Sequence, residues 1–210
     1  MADNPPAPGL PTAPDVPSAT TRRVRADAQR NIASVVEAAK AVFADSGVDA
    51  PVREIAARAG VGVGTLYRHF PQRSDLIVAV FRYEIDACAD AAATLATEHE
   101  AGEALARWLR RYTGLIATKR GLATALHSGD PAFDALPGYF DQRMRPALQS
   151  LLESASAAGQ VRPDVNPNEL LHAVANLCLP ADAERSGQAH RMVDLLIDGL
   201  RYGASATRSS

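Results

Sequence analysis

Apolar residues recur along most of this chain with the spacing of an α-helix. In the first such stretch they fall at positions i, i+3, i+4, i+7, i+10 and i+11, which form one helix face; these are Ile32, Val35, Val36, Ala39, Val42 and Phe43. Gly47 follows, and a glycine just past the last periodic residue is typical of a helix end. The pattern therefore predicts an amphipathic helix that ends near residue 46.

The same spacing predicts helices along the rest of the chain. Two short helices are expected over about 52–58 and 63–69, followed by a long helix from about residue 73 and another through Trp108 and Ile116. Further helices are expected over about 138–158, 167–179 and 186–202, and Pro146 must either kink the first of these or begin a new one. Since no stretch keeps the alternation of a strand, we predict an all-α protein of about nine helices.

Two terminal segments lack this pattern. Residues 1–20 contain six prolines and few side chains that could pack, which predicts a disordered tail. Residues 205–210 are expected to form a second, short tail. Between them we expect an N-terminal three-helix domain over residues 21–73 and a C-terminal helical domain over residues 74–204.

Charge is divided unevenly between these segments. The net charge of all 210 residues is −2. Residues 20–73 contain nine basic and five acidic residues, whereas residues 74–210 contain thirteen basic and seventeen acidic ones. The N-terminal domain is therefore the basic part of the chain and the better candidate for contact with nucleic acid.

Composition excludes several classes of protein. Hydrophobic residues make up 47% of the chain, which argues against disorder throughout, and no apolar stretch approaches the roughly 18 residues of a membrane span. Cys88 and Cys178 are too few for a disulfide framework, and no spacing of histidines suggests a metal site. Without a secretory leader, these observations predict a cytoplasmic protein.

The two cysteines are most simply buried thiols, and redox sensing is the alternative.

Residues 51–70 have the composition of a helix-turn-helix motif. Ala56 supplies the small residue that two closely crossing helices require, and Gly60 tolerates the left-handed backbone of a tight turn. The apolar residues that would hold the helices together are Ile55, Val61, Leu66 and Phe70. With those facing inward, the residues expected to face a DNA groove or its phosphates are Val63, Gly64, Thr65, Tyr67, Arg68 and His69.

Residues 55–70, followed by Pro71, Arg73 and Leu76, resemble the tetracycline-repressor (TetR) family over about residues 26–80. The resemblance implies that Thr65, Tyr67 and His69 hydrogen-bond phosphates and that Arg73 neutralises one. It also implies that Arg53 reaches a base edge. Gly62 and Val63 depart from the family pattern, which usually has a capping Ser or Thr and a polar residue there, so Val63 can offer only apolar contact. Near the N-terminus, Arg22, Arg23 and Arg25 are a possible DNA arm or a solvated run.

The resemblance implies that the C-terminal domain binds a small-molecule effector. Trp108, Tyr112, Phe140 and Met144 could line its pocket, although aromatic residues at helical spacing are also typical of a core. His127 lies beside a predicted helix break and could hydrogen-bond an effector. Arg143 could pair with an acidic ligand or extend its charge into solvent.

The last two predicted helices have apolar arcs wider than one small domain needs to bury. They are therefore the expected dimer interface, and the candidate contact residues are Leu170, Val174, Val193, Leu196, Gly199 and Leu200. A dimer is expected because two recognition helices can reach successive major grooves of a palindromic operator.

Together these features predict a ligand-responsive repressor that binds double-stranded operator DNA as a homodimer and is released by a small-molecule effector. One alternative is a TetR-like protein controlled by a protein partner. Another is an all-helical enzyme or carrier with an incidental helix-turn-helix. We expect no enzyme, because no nucleophile with a base, metal set or phosphate loop is evident, and we expect no cofactor, metal or membrane partner.

Overall fold

A computed structural model describes residues 19–178 and 186–202, of which residues 19–29 and 186 are described by their backbone alone. Within these ranges the chain is helical without strands, as predicted. The first three helices are α1 (Ala19–Ser46), α2 (Val52–Ala59) and α3 (Val63–His69). Helix α1 begins inside the segment predicted as a tail, whose remaining residues, like 205–210, lie outside the described ranges.

The other six α-helices and a short 3₁₀ turn form the C-terminal part. They are α4 (Arg73–Glu98), α5 (Ala101–Gly121), α6 (Ala123–Leu126), the 3₁₀ turn (Pro131–Phe133), α7 (Leu136–Ala157), α8 (Pro167–Leu177) and α9 (Ser186–Tyr202). Pro146 lies inside α7, which runs through it as one element. The C-terminal part is built around α4, α5 and α7, which pack against one another.

Local signals explain where two of these helices begin. At α4, the backbone N–H of Gln72 donates to Oδ2 of Asp75 at 2.9 Å, and the Gln72 side chain caps the first turn in return. At α8, Oδ1 of Asn166 accepts from the N–H groups of Asn168 and Glu169. Both caps satisfy amide groups that have no partner within the helix, and the Asn166 cap confirms the start predicted from the sequence.

Helix α4 connects the two parts of the molecule. Its first turns bury Leu76, Ile77 and Val80 in the core that α1 also enters, and later turns bury residues such as Ile85 and Cys88. Because apolar residues of α1, α4 and the C-terminal helices belong to one connected cluster, a shift of α4 would alter packing at both ends.

Polar contacts reinforce α4 on two sides. The ammonium group of Lys40 on α1 lies 2.6 Å from Oε1 of Glu84. On the other side, Arg143 of α7 donates through Nε to Asp86 at 2.8 Å and through a terminal nitrogen to Asp90 at 2.6 Å. The Tyr139 hydroxyl donates to the same Asp86 carboxylate at 2.6 Å. These side chains tie α4 to both α1 and α7.

None of the described helices combines the length and apolar character needed to cross a membrane.

We expect Leu148→Ala to destabilise the protein by about 2–5 kcal/mol, because Leu148 on α7 is fully buried and the substitution leaves a cavity. Chemical denaturation followed by circular dichroism measures the change. The neighbouring exposed residue provides the control, and Gln149→Ala should alter the free energy of unfolding by no more than about 0.5 kcal/mol. Equal effects of the two substitutions would contradict the assignment of Leu148 to the core.

Candidate nucleic-acid interface

The turn between α2 and α3 has the geometry predicted for a helix-turn-helix. Gly60 adopts φ 68° and ψ 27°, which is the left-handed region. Its N–H donates to the carbonyl of Ala57 at 3.2 Å, and the N–H of Val61 donates to the carbonyl of Ala56 at 3.0 Å. These bonds satisfy the last carbonyls of α2 while the chain reverses. The glycine therefore allows α2 and α3 to be joined by a turn of only three residues.

Apolar side chains hold the motif together beneath this turn. Ile55 and Ala56 of α2 are buried, as are Leu66 of α3 and Phe70 just after it. Val61 in the turn is half-buried and packs against the same cluster. The inward-facing set predicted from the sequence is confirmed, and its burial determines which side of α3 remains in solvent.

The opposite side of α3 is open. Val63 is 40% exposed and Tyr67 is 50% exposed, values that are unusual for large hydrophobic or aromatic side chains in the described part of the chain. Gly64, Arg68 and His69 are also exposed, and Thr65 is half-buried. Since residues four apart share a helix face, Val63 and Tyr67 present one continuous surface with Arg68 beside it.

The departure at Gly62 has a visible consequence. Gly62 occupies the N-cap of α3 with extended backbone, and no side chain caps the helix. Its carbonyl accepts from the N–H groups of Thr65 and Leu66 at 2.9 and 3.1 Å. The start of α3 is therefore held by backbone contacts and by the burial of Leu66.

Arginines around the motif differ in their surroundings. Arg53 is exposed on α2, as a base-reading role requires. Arg58 pairs instead with Asp45 of α1 at 2.9 Å. Arg73 is half-buried, and its guanidinium donates to the carbonyls of Val48 and Ala50 in the loop between α1 and α2. This loop contact could not be predicted from the sequence, since nothing local to Arg73 indicates a partner more than 20 positions earlier.

The possible DNA arm can be located only by its backbone. Arg22, Arg23 and Arg25 belong to α1, which begins at Ala19. Their side chains lie outside the described part of the structure. The role of these three arginines stays a prediction.

Two family models match the chain. The model described as "Bacterial regulatory proteins, tetR family" matches residues 35–80, and "Transcriptional regulator SbtR-like, C-terminal domain" matches residues 100–202. A TetR transcriptional regulator from Streptomyces coelicolor is 36% identical, with a TM-score of 0.72 over 81% of this chain and 98% of that one. The chain belongs to the TetR family.

Two further proteins that are similar to this chain are also described as transcriptional regulators. A TetR transcription regulatory protein from Mycobacterium vanbaalenii is 36% identical, with a TM-score of 0.64 over 85% of this chain and 99% of that one. An HTH-type transcriptional regulator of Staphylococcus aureus is 39% identical over 64 residues, which are 30% of this chain and 35% of that one. The chain therefore matches about a third of the length of this last relative. This TetR-family protein is a DNA-binding transcriptional regulator.

The aromatic residues predicted for an effector pocket form part of the core of this TetR-family protein. The Trp108 and Tyr112 rings are 5.9 Å apart and stacked, and Phe140 lies 6.1 Å from Tyr112. The indole N–H of Trp108 donates to the carbonyl of Cys88 at 2.8 Å. Trp108 and Met144 are completely buried. This packing favours the core alternative for Trp108, Tyr112 and Met144, with Phe140 half-buried at the edge.

The two polar candidates have partners within the chain. Arg143 forms the contacts to Asp86 and Asp90 described above, and the hydrogen bonds to these carboxylates raise its pKa. Its charge is therefore neutralised without an acidic ligand. His127 is exposed and donates from Nδ1 to the carbonyl of Ala123 at 2.8 Å, so it closes the last turn of α6.

Most of the residues predicted to form dimer contacts are buried in the protomer. Leu170 and Val174 of α8, and Val193 and Leu200 of α9, pack in its core, so their role at a dimer interface stays a prediction. Each helix buries one side of its apolar arc in its own core, and the pattern alone does not tell which side. Of the candidates, half-buried Leu196 and exposed Gly199 remain on the surface.

A different apolar surface is open on the same helices. Leu195 is 65% exposed. A shallow groove of about 430 Å³ surrounds it, and its lining residues are Arg162, Leu177, Met192, Leu195, Leu196, Gly199 and Leu200. We call this surface the α8–α9 groove.

Both cysteines are buried free thiols. Burial raises the pKa of Cys88 to about 12, and it also raises the pKa of Cys178. Because the thiolate is the reactive form, the structure favours the interpretation of Cys88 as a packing residue over redox sensing.

Two glycines of the motif should respond to alanine in opposite ways. Gly60→Ala places a side chain in the left-handed region and should cost about 1–2 kcal/mol of stability. Gly64→Ala adds a methyl group to open space on α3 and should stabilise by up to about 1 kcal/mol, because alanine is the better helix former.

Urea denaturation of the two variants and the unsubstituted protein measures both changes. Each variant is the control for the other, since both replace a glycine by alanine and the two residues lie four positions apart in one motif. An unchanged stability of Gly60→Ala would contradict the left-handed turn.

Proposed function

We propose that this protein is a repressor that binds a palindromic operator as a homodimer and is released by a small-molecule effector. The observation that carries the proposal is the exposed face of α3. Val63 and Tyr67 remain open to solvent there, while the opposite side of the helix is anchored by fully buried Leu66. A rigidly seated helix with a solvent-facing side fits the major groove of DNA.

The division of charge supports DNA as the partner of this face. Residues 20–73 carry a net charge of +4 from nine basic and five acidic residues, whereas residues 74–210 carry −4 from thirteen and seventeen. Phosphate neutralisation by Lys and Arg supplies much of the affinity for DNA and makes it depend on salt. The excess of positive charge therefore favours approach of the N-terminal end to the operator.

Within the exposed face, polar and apolar residues have different roles. Thr65, Tyr67 and His69 can hydrogen-bond phosphates, which positions the helix without specifying sequence. Arg53 on α2 is the candidate for a base edge. Val63 offers apolar contact, for which the methyl group of thymine is the available partner in the major groove.

The α8–α9 groove supports a homodimer. A single recognition helix reads few base pairs, whereas two helices related by a two-fold axis reach major grooves about 34 Å apart. Leu195 is a large apolar residue that solvent would otherwise surround, and exposed Gly199, one turn along α9, allows close approach of another helix. A second copy placed against this groove would bury Leu195 in an isologous interface.

Helix α4 is the proposed route from effector to DNA. Its Glu84 pairs with Lys40 of α1, while its Asp86 and Asp90 pair with Arg143 of α7. An effector that binds among the C-terminal helices and favours another position of α4 would therefore change the separation of the two recognition helices. A thousandfold loss of operator occupancy requires about 4 kcal/mol of differential effector affinity.

We expect the protein to bind DNA from upstream of its own gene in a fluorescence anisotropy titration, with an affinity that falls steeply as salt is raised. Tyr67→Phe should weaken binding to operator and unrelated DNA alike, by about tenfold or more, because it removes a hydroxyl donor to a charged phosphate. Tyr202→Phe is the matched control, since Tyr202 is 87% exposed at the opposite end of the chain.

Binding that is indifferent to ionic strength would contradict the proposed interface. A Tyr67→Phe variant that changes sequence preference but not overall affinity would show that Tyr67 reads bases.

We expect Leu195→Glu to give monomers by light scattering and to abolish tight operator binding, because it places a charge in the α8–α9 groove. Ala93→Glu adds the same charge at an exposed position of α4 and should leave the dimer intact. Circular dichroism verifies that both variants remain helical. A stable Leu195→Glu dimer would move the interface to another surface.

A further inference from the structure

The guanidinium group of Arg73 joins the start of α4 to the loop between α1 and α2. Arg73 is the first residue of α4, and its backbone is held by the Gln72–Asp75 capping box. One terminal nitrogen donates to the carbonyl of Val48, and the other donates to the carbonyl of Ala50 at 2.8 Å. Both carbonyls belong to the loop that joins α1 to α2.

Apart from Arg73, this loop is held mainly by burial, because Ala50 lies in the core and Val48 packs against it. It begins at Gly47, whose φ is 79°, and ends at Pro51, which caps α2 without a side-chain hydrogen bond. Within the loop, the N–H of Ala50 donates to the carbonyl of Gly47 at a long 3.3 Å. Carbonyl groups in such a segment need hydrogen-bond donors, and Arg73 supplies donors to two of these carbonyls.

The planar shape of arginine suits this contact. Its donors form a rigid fork that can serve two acceptors at once, whereas the lysine ammonium is a point charge on a flexible stem. Partial burial of Arg73 also keeps water from replacing the hydrogen bonds easily. Arg68 has the same fork but differs in burial, because it is exposed on α3.

The contact bears on the recognition helix through α2. The loop that Arg73 holds leads directly into Val52, where α2 begins, and α2 leads through the turn at Gly60 into α3. Arg73 thereby ties the start of α4 to the start of α2. This tie adds to the direct link between α3 and α4, which are joined by residues 70–72, because it fixes the start of α2 against the same end of α4.

We propose that Arg73 is a positioning residue for DNA recognition: it orients the helix-turn-helix by binding the Val48 and Ala50 carbonyls, instead of neutralising a phosphate. The inference rests on the proposed operator binding. It corrects the role that the family resemblance implies for this residue.

The test compares Arg73→Gln, Arg73→Lys and Arg68→Gln with the unsubstituted protein. Each is titrated against operator DNA and an unrelated duplex over a range of salt concentrations, at a temperature where circular dichroism shows that it is folded. For Arg73→Gln we expect operator affinity to fall by about tenfold or more, affinity for unrelated DNA to change less than about twofold, and the salt dependence to be unchanged. Arg73→Lys should not restore operator affinity, since lysine keeps the charge but loses the fork.

The comparator Arg68→Gln should lower affinity for both duplexes and reduce the slope of log K against log salt by about two, as loss of one phosphate contact in each copy of the proposed homodimer requires. If Arg73→Gln behaves in that way and Arg73→Lys restores binding, Arg73 is a phosphate contact and the inference is wrong. If folded Arg73→Gln binds both duplexes as the unsubstituted protein does, Arg73 has only a structural role and the inference is also wrong.

Hydrogen exchange separates this inference from the proposed function. When both proteins are free of DNA, the amides of residues 48–54 other than Pro51 should exchange faster in Arg73→Gln than in the unsubstituted protein. If the unsubstituted protein binds no operator, the proposed function fails. Unchanged exchange in this segment would overturn the Arg73 contact itself.

Discussion

The burial of α4 in two places is the constraint on which the rest of the structure depends. Leu76 and Ile77 in its first turns pack with the DNA-binding helices, and Ile85 and Cys88 pack in the C-terminal bundle. Burial of apolar surface is the main favourable term in folding, so neither end of α4 can move without loss of packing. Because α4 packs in both parts of the molecule, the orientation of the N-terminal helices depends on how α4 is held by the C-terminal helices.

Polar side chains on α4 are arranged to preserve this connection. Glu84 faces Lys40 of α1, and Asp86 faces Arg143 and Tyr139 of α7. These contacts are partly exposed, and isolated surface ion pairs contribute little to stability. Their main effect is on geometry, because each contact favours one register of α4 against the neighbouring helix. The proposed mechanism, in which an effector changes the separation of two recognition helices, depends on such selection.

Local chemistry could be read from the sequence with good accuracy. The helix end at Gly47 and the left-handed turn at Gly60 follow from the backbone freedom of glycine, the start of α8 follows from the side-chain cap of Asn166, and the structure confirms all three. The outward face of α3 could also be predicted. Leu66 is the buried residue of this seven-residue helix, and once Leu66 faces the core, the opposite side must face solvent. The sequence-derived DNA-facing set therefore includes the exposed residues of α3.

Contacts between distant segments were decided by the tertiary structure alone. Arg73 and Arg143 have long side chains that reach acceptors on other elements, and no local pattern identifies those acceptors. Helices α8 and α9 have wide apolar arcs, and only their packing shows that Val174 and Val193 face the core while Leu195 faces solvent. Periodicity determines that a helix has an apolar side; which part of that side is buried depends on the neighbours that the fold brings to it.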